Sequence, residues 1–265
     1  MENRYDIGQA GPTARDKYRE KETAALLWLY RWGYASPAQI DRVAGQNRPG
    51  FGSKLKEKGL LWELPLGHEQ PKKLYAMTEA GLEKARNLIE EGEAGDDLEA
   101  LADLPYRFTK SFTVSPDHLF HELYLQYATH HMMQKSLWVD GLKTARMMRE
   151  KNRRRMKQPD AVLLDDYKRP WIFEAERTQK GKERLEVMVY LMLEAITAGN
   201  YAGAIVYTPK TAIKNHLENL KRQAFLRKFS PSPSGFVPVS ADPYRVNADA
   251  ANAIQVHQVG LPQRL

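Results

Sequence analysis

The chain has 265 residues, no cysteine, and 40 lysines and arginines against 33 aspartates and glutamates, so its formal net charge is +7 at pH 7. With 42% apolar and 28% charged residues, the composition is that of a globular protein and not of a disordered one. The absence of cysteine excludes disulfides, thiolate zinc sites and cysteine nucleophiles. No apolar run approaches the roughly 20 residues of a membrane span, and no secretory signal is evident. We therefore expect a cytoplasmic protein without a membrane partner.

The net charge is distributed unevenly along the chain. Residues 90–103 carry seven acidic residues and no basic one, whereas residues 143–158 carry eight basic residues and one acidic one. The acidic stretch separates two better-patterned regions, which is typical of an interdomain linker. The predicted organisation is an N-terminal arm and first domain at 1–89, an acidic linker at 90–109, a second domain at 110–240 and a C-terminal tail at 241–265.

The first domain is patterned as three helices, a hairpin and a closing helix. Ser36 and Pro37 are typical of a helix N-cap and a first helical position, and Thr78 is typical of the cap of the closing helix. Two short apolar runs on either side of the turn-rich segment LGHEQP indicate a pair of strands. The predicted elements are the helix from Glu20 to Gly33, the helix SPAQIDRVAG, a short basic helix from Gly50 to Gly59, the strands LLWELP and KKLYAM, and the helix TEAGLEKARNLIEE.

This order of elements resembles the winged helix-turn-helix family, as do the segments KLKEKGLL and YAMTEAG. The resemblance implies that the third helix enters the DNA major groove and that the hairpin follows the backbone. Many winged helices bind proteins, and lysine is common on any solvated helix face, so protein binding is the alternative. The candidate DNA-binding residues are Lys54, Lys56 and Lys58 for phosphates and Arg48 and Ser53 for base edges.

The second domain alternates helices with strand-like runs, which predicts an α/β domain with a central mixed sheet. The segment SPSPSG, from Ser230, is rich in proline and serine, and we expect a loosely ordered terminus after it. For the whole chain the predicted fold class is α/β, or α+β overall. The predicted elements are a helix over 116–135, the strands SLWVDGL, PDAVLLDD and PWIFEAER, a helix over 182–198, the strand AGAIVYT, a helix over 210–222 and the strand GFVPVS.

Three carboxylates have a spacing that suggests chemistry. Asp160 opens one predicted strand, and Glu174 and Glu176 lie two residues apart on the next. A period of two directs both glutamates to the same face of a sheet, so the three carboxylates meet if the strands are neighbours. Like charges at that distance raise one another's pKa, and a hard divalent cation removes the conflict. Such an ion is typically held by few carboxylates with waters and substrate phosphate, so we expect Mg²⁺ or Mn²⁺.

The motif formed by Pro159-Asp160, thirteen further residues and Glu174-Ala175-Glu176 resembles the PD-(D/E)xK nuclease superfamily, which has the restriction-endonuclease fold. The resemblance implies that Asp160 and Glu174 are metal ligands and that Glu122, on the preceding helix, is another. It places Glu176 at the position of the usual lysine, where it would orient or deprotonate the nucleophile. The alternative is a set of acids at strand ends that face solvent.

The loss of the usual lysine leaves the general base open. The alternatives to Glu176 in this role are Lys180, Lys182 and a metal-bound hydroxide.

A winged helix followed by this core resembles the replication-relaxation proteins of plasmids, and specifically the MOBC class of conjugative relaxases. The resemblance covers nearly the whole chain and is carried by His121-Glu122, by PDAV from Pro159, by FEAER from Phe173 and by IVYTPKTAIKNHL. It implies metal-dependent nicking of one DNA strand at a plasmid transfer origin, with accessory relaxosome proteins and a coupling protein as partners. It also adds His121 to the catalytic candidates. The alternatives are a non-enzymatic replication or transcription protein with a degenerate nuclease fold, and a double-strand restriction or repair endonuclease.

The nucleophile is either water or a tyrosine. Relaxases of other classes attack with tyrosine, and Tyr18, in the polar segment ARDKYREKE, is expected to be exposed. The resembled nucleases hydrolyse with water, so we favour water.

The basic stretch at 143–158 directly precedes Asp160. Beside a phosphodiester site it would bind the DNA backbone and release counterions, whereas the alternative is a solvated loop. The candidate contact residues are Arg153, Arg154, Arg155 and Lys157.

Overall fold

The computed structural model describes residues 12–66, 71–92, 116–130, 137–140, 159–178, 181–232 and 235–261. These residues form two compact units, an N-terminal unit from residues 12–92 and a C-terminal unit from residues 116–261. Their helices and strands confirm the expected mixture of α and β structure. The predicted linker lies outside the described residues apart from residues 90–92. None of the helices in the described ranges is long and apolar enough to cross a membrane.

The N-terminal unit contains four helices and an antiparallel hairpin. Helix α1 begins at Ala14, before the predicted start at Glu20, because Thr13 and Asp16 form a reciprocal capping box that satisfies two backbone donors at the helix start. In chain order the elements are α1 (Ala14–Trp32), α2 (Pro37–Val43), α3 (Phe51–Glu57), β1 (Leu61–Pro65), β2 (Lys73–Met77) and α4 (Glu79–Glu90).

Local caps start two of these helices where the sequence predicts them. Ser36 Oγ accepts from Gln39 N at 3.2 Å at the start of α2, and Pro37 occupies the first helical position, where its missing N–H costs nothing. Thr78 Oγ1 accepts from Gly81 N at 3.1 Å at the start of α4. These bonds satisfy donors that have no partner within the helix.

A side chain of α2 fixes the start of α3. The buried carboxylate of Asp41 accepts from Phe51 N at 2.8 Å and from Gly50 N at 3.2 Å. Gly50 has a φ of +120°, a conformation that glycine adopts without the clash of a Cβ atom. Asp41 therefore supplies the cap that α3 lacks at its own N-cap position, and it ties the third helix to the second.

The hairpin is joined to the helices through Tyr75. Its backbone exchanges two hydrogen bonds with Ala35, at 2.8 and 3.0 Å, and its side chain is 1% exposed. A Cβ atom on Gly52 would approach the Tyr75 ring to 2.5 Å. Helix α3 can pack this closely on the hairpin because residue 52 has no side chain.

The C-terminal unit is built around a mixed sheet of five strands. In chain order its elements are α5 (Pro116–His130), β3 (Leu137–Asp140), β4 (Ala161–Leu164), β5 (Pro170–Ala175), α6 (Lys182–Thr197), β6 (Gly203–Thr208), α7 (Thr211–Lys221), β7 (Phe225–Ser232), β8 (Gly235–Arg245), α8 (Ala248–Asn252) and β9 (Ile254–Gln258). The strand order is β3-β4-β5-β6-β9. Strand β4 pairs antiparallel with β3 and β5, whereas β6 pairs parallel with β5 and β9.

The expectation of a loosely ordered terminus after Ser230 is wrong for most of that segment. Strands β7 and β8 form a long antiparallel hairpin, and the predicted strand GFVPVS is part of β8. Strand β9 lies beside β6 in the central sheet, so the second domain extends beyond the predicted boundary at residue 240. The physical reason is burial, because Ile254 is 2% exposed and Val256 is 7% exposed, and both belong to the main core.

That core lies on one face of the sheet, beneath α6 and α7. Ile172, Val206 and Val256 from three neighbouring strands pack with Leu193 of α6 and Leu217 of α7. Since alternate residues of a strand share a face, this core also sets which side of the sheet the later residues of β5 occupy.

Candidate functional site

Strand pairing brings Asp160 next to Glu174. Ala161 of β4 is paired with Phe173 of β5, so the residue before Ala161 lies opposite Glu174 at the same edge of the sheet. Ala175 N donates to Asp160 Oδ2 at 3.0 Å, which holds the carboxylate against the end of β5. Two acids that are distant in sequence thereby become neighbours.

Glu176 continues the line of β5 by one residue beyond Ala175. Its N–H donates to the Tyr207 carbonyl oxygen at 2.7 Å, which extends the parallel pairing of β5 with β6. The period of two places Glu176 on the same face as Glu174. Glu174 is 3% exposed and Glu176 is 2% exposed, and burying carboxylates costs free energy that hydrogen bonds or opposite charges must offset.

His121 of α5 adds a titratable group to these carboxylates. Its Nε2 lies 3.3 Å from Asp160 Oδ2, and its side chain is partly buried. Burial of the ring by itself lowers the pKa of His121, but the hydrogen bond to Asp160 and the negative charges of Asp160, Glu174 and Glu176 outweigh it, so the pKa is raised. The acids therefore favour the protonated imidazole, which in turn reduces the net negative charge of the group.

Helix α5 is anchored by a second polar contact. The buried Tyr124 donates its hydroxyl to the Val259 carbonyl oxygen at 2.8 Å, just beyond the end of β9. Burial raises the pKa of Tyr124 far above its ordinary value, so the hydroxyl keeps its proton and acts as a donor. The chain after β9 thus helps to hold the helix that carries His121.

Asp160 and Glu174, the predicted metal ligands, lie on neighbouring strands at the same end of β4 and β5. Their hard carboxylate oxygens suit Mg²⁺ or Mn²⁺, which usually bind one or two carboxylates together with waters and phosphate oxygens. Within the ranges that the structure describes, no group of three or more histidine, aspartate or glutamate side chains is arranged to hold a metal. Glu122 is half-buried beside His121 on α5. Its role as a third ligand stays a prediction.

The basic residues predicted near these acids lie outside the described part of the chain. This is true of Lys180 and of Arg153, Arg154, Arg155 and Lys157. Lys182, the alternative general base, is exposed at the start of α6.

Arg177 is a residue that the sequence analysis did not single out as a site residue. It directly follows Glu176, is half-buried, and its Cζ lies 5.7 Å from the centroid of the Phe120 ring. Phe120 in turn directly precedes His121. The sequence shows that Arg177 follows Glu176 and that Phe120 precedes His121, but it does not show that Arg177 and Phe120 are in contact.

In the N-terminal unit, the predicted DNA-binding residues differ in their surroundings. Arg48 and Lys54 are exposed, so both side chains are accessible to a ligand. Lys56 Nζ lies 3.2 Å from Glu63 Oε2 of the hairpin. Ser53 Oγ lies 3.0 Å from the Tyr75 hydroxyl, so the predicted contact of Ser53 with a base edge competes with an internal hydrogen bond.

Lys58 forms an ion pair with the buried Glu22. The Glu22 side chain is 6% exposed, and its carboxylate contacts Lys58 Nζ at 2.9 Å and also Lys84 Nζ. Burial by itself raises the pKa of Glu22, but the two lysines outweigh it, so the pKa is lowered. Lys58 therefore stabilises the N-terminal unit, and it is a weaker candidate for phosphate binding than Lys54.

The expectation that Tyr18 is exposed is wrong. The residue is half-buried, its ring lies 5.6 Å from that of Phe51, and Lys58 Nζ lies 4.0 Å from its ring centroid. Its hydroxyl oxygen is buried, because α1 packs against α3 at this point. This burial disfavours Tyr18 as a nucleophile.

Comparison of the chain with models of protein families, with curated proteins and with solved structures gave no match.

Proposed function

We propose that this chain is a metal-dependent DNA endonuclease of the relaxase type, which nicks one strand of supercoiled DNA at a plasmid transfer origin. The observation that carries the proposal is the meeting of Asp160, Glu174 and His121 at one edge of the sheet, with Glu176 buried beside Glu174. Clustered acids around a titratable group with a shifted pKa are typical of catalytic sites.

The order of the elements supports a nuclease-like core. Helix α5, the antiparallel strands β3, β4 and β5, helix α6 and the parallel strand β6 follow one another as the resemblance to the PD-(D/E)xK superfamily implies. The acids stand where that resemblance expects them, just before β4 and at the end of β5. In the same way, three helices followed by a hairpin in the N-terminal unit support its assignment as a winged helix.

In this proposal the acidic side chains have different roles in hydrolysis. Asp160 and Glu174 would hold Mg²⁺ or Mn²⁺, with Glu122 as a further ligand. When bound, the ion supplies charge stabilisation for the phosphate and lowers the pKa of a water molecule. Protonated His121, held at Nε2 against Asp160 Oδ2, limits the repulsion among the acids.

Water is the proposed nucleophile, and Glu176 the proposed base. The water oxygen bonds to phosphorus while the bond from phosphorus to the leaving sugar oxygen breaks. A carboxylate oxygen of Glu176 takes the proton of the water and later releases it to solvent, and the leaving oxygen takes its proton from solvent. Lys180 is the alternative base.

The N-terminal unit would bind duplex DNA through α3. Asp41 holds the start of this helix, and Lys54 and Arg48 are exposed near it. Arg153, Arg154, Arg155 and Lys157 would contact the backbone near the cleaved bond. Accessory relaxosome proteins and a coupling protein would be the further partners.

The test is a nicking assay with the purified full chain, its own supercoiled plasmid, and Mg²⁺ or Mn²⁺. We expect nicked circles with the wild type. Glu174→Gln and Glu176→Gln should each lower the nicking rate by about 10³-fold, the scale expected when a group that stabilises the transition state is lost. Duplex binding should be retained in both variants. Asp166→Asn, which removes an exposed acid of the turn between β4 and β5, is the matched control and should nick normally.

The products and the binding curves separate the alternatives. Linear plasmid as the first product would identify a double-strand endonuclease. Duplex binding without cleavage in either metal would identify a non-enzymatic DNA-binding protein with a degenerate nuclease fold.

A further inference from the structure

Among the described residues of the C-terminal unit, three arginines lie over aromatic rings, and they differ in their other contacts. Arg169 lies 5.2 Å from the Tyr167 ring and 2.9 Å from the Asp165 carboxylate. Arg227 lies 5.4 Å from the Phe229 ring, and it bonds Glu186 and Glu183. Arg177 lies 5.7 Å from the Phe120 ring, but no ion pair links it to any of the described residues.

The guanidinium of Arg177 is also incompletely hydrogen-bonded. Its Nε is fully buried and has no hydrogen-bond partner among the described residues. A buried donor without a partner costs free energy, and this donor carries a positive charge. Carboxylates and phosphates form strong and often bidentate hydrogen bonds with the guanidinium group of arginine. The guanidinium of Arg177 therefore keeps its charge without an anionic partner among the described residues.

The position of Arg177 selects the kind of anion. The residue directly follows Glu176 along the chain, and its aromatic partner Phe120 directly precedes His121, so Arg177 and Phe120 are sequence neighbours of residues in the acidic group. An anionic phosphodiester is repelled by Asp160, Glu174 and Glu176 unless a cation lies nearby. The planar guanidinium presents parallel N–H donors that match two phosphate oxygens, and the Phe120 ring restrains its plane.

We propose that Arg177 is a phosphate-binding residue that contacts the non-bridging oxygens of the phosphodiester to be cleaved. The proposal deepens the proposed nuclease function and rests on it for the identity of the phosphodiester. It does not require the metal, because the guanidinium carries its own charge.

A binding experiment tests the contact without any cleavage. The full chain, labelled with ¹⁵N-arginine and kept in EDTA, is titrated with a thymidine dinucleotide while the arginine Nε–Hε resonances are recorded. The Arg177 resonance is identified by its loss in Arg177→Lys. We expect this resonance to shift with the dinucleotide and with inorganic phosphate, and to stay in place with acetate at the same ionic strength. A resonance that does not move with either phosphate compound overturns the proposal.

Two variants relate the contact to turnover. Arg177→Lys keeps the charge but loses the fork of donors, so the dinucleotide affinity and the nicking rate should each fall by about tenfold or more, as for the loss of one charge-assisted hydrogen bond. Arg169→Lys changes another arginine on an aromatic ring at the opposite end of the same strands, and both quantities should be unchanged. Equal melting temperatures exclude unfolding of the Arg177 variant.

The outcomes distinguish this proposal from the proposed function. A shifted Arg177 resonance in a protein that never nicks its plasmid supports the phosphate site and overturns the nuclease function. Normal nicking by Arg177→Lys overturns the phosphate site and leaves the nuclease function standing.

Discussion

Both units of the protein bury carboxylates, but they surround them differently. In the N-terminal unit, Glu22 is a single acid held by Lys58, just after α3, and by Lys84 of α4, and its pKa is lowered. In the C-terminal unit, Asp160, Glu174 and Glu176 share one edge of a sheet with His121, whose pKa is raised. A single acid between cations stabilises a fold, whereas several acids together work against it. The second arrangement is therefore the better candidate for a function.

The largest expected effect is the loss of Asp160. Asp160→Asn removes a proposed metal ligand and the partner of His121, so the nicking rate should fall by about 10³-fold while duplex binding persists. Plasmid nicking and gel-shift assays measure the two quantities. Normal nicking by this variant would show that the acids near His121 in the C-terminal unit are not the active site.

Glu22→Gln should act on stability and leave the nicking chemistry unchanged. Glu22 is buried but both lysines are about half exposed, so solvent screens their loss of a partner, and the expected cost is about 1 kcal/mol in the free energy of unfolding. Urea unfolding measures the loss, and Glu83→Gln, at an exposed position of α4, is the control. A loss no larger than that of the control would mean that Glu22 does not stabilise the unit.

The contribution of Glu22 should depend on pH in a defined direction. Its pKa is lowered in the folded state from an ordinary value of 4.5, so its stabilisation is fully present above that value and is lost as the pH falls through the lower folded pKa. The difference in unfolding free energy between wild type and Glu22→Gln should therefore shrink below pH 4.5. A difference that stays constant from pH 7 to pH 3 contradicts the assigned ion pairs.

Substitutions of Lys54, in α3, and of Lys58, directly after α3, should have different effects, the first on DNA affinity and the second on the stability of the N-terminal unit. Lys54→Ala removes an exposed cation, so DNA affinity should fall severalfold and the slope of log affinity against log salt should decrease by about 1. Lys58→Ala should mainly lower the melting temperature of the N-terminal unit. The reverse pattern would show that Lys58 contacts DNA.

The smallest expected effect concerns His121 itself. Because Asp160 raises its pKa through a hydrogen bond and a negative charge, Asp160→Asn should lower that pKa, and the remaining effect should come from the two glutamates. NMR titration of the imidazole resonances measures the change. An unaltered pKa would mean that His121 is not held by Asp160 in solution.

Much of the candidate site could be named from the sequence. The spacing of Asp160, Glu174 and Glu176 follows the period of two of a strand, and His121 entered through the resemblance of its helix to known relaxases. These residues do lie together in the structure, while their catalytic roles remain proposals. Arg177 was missed because what distinguishes it is its contact with Phe120, and Phe120 lies on a helix far away in sequence.

The sequence by itself determined the local elements of this protein. Ser36 and Thr78 begin helices through bonds to backbone donors three residues away, and the apolar runs of β4 and β5 form strands. Only the tertiary structure decided the contacts between distant segments. It placed β9 beside β6, brought Lys58 to Glu22 and set Phe120 under Arg177, because each of these contacts depends on the burial and charge that a partner far along the chain supplies.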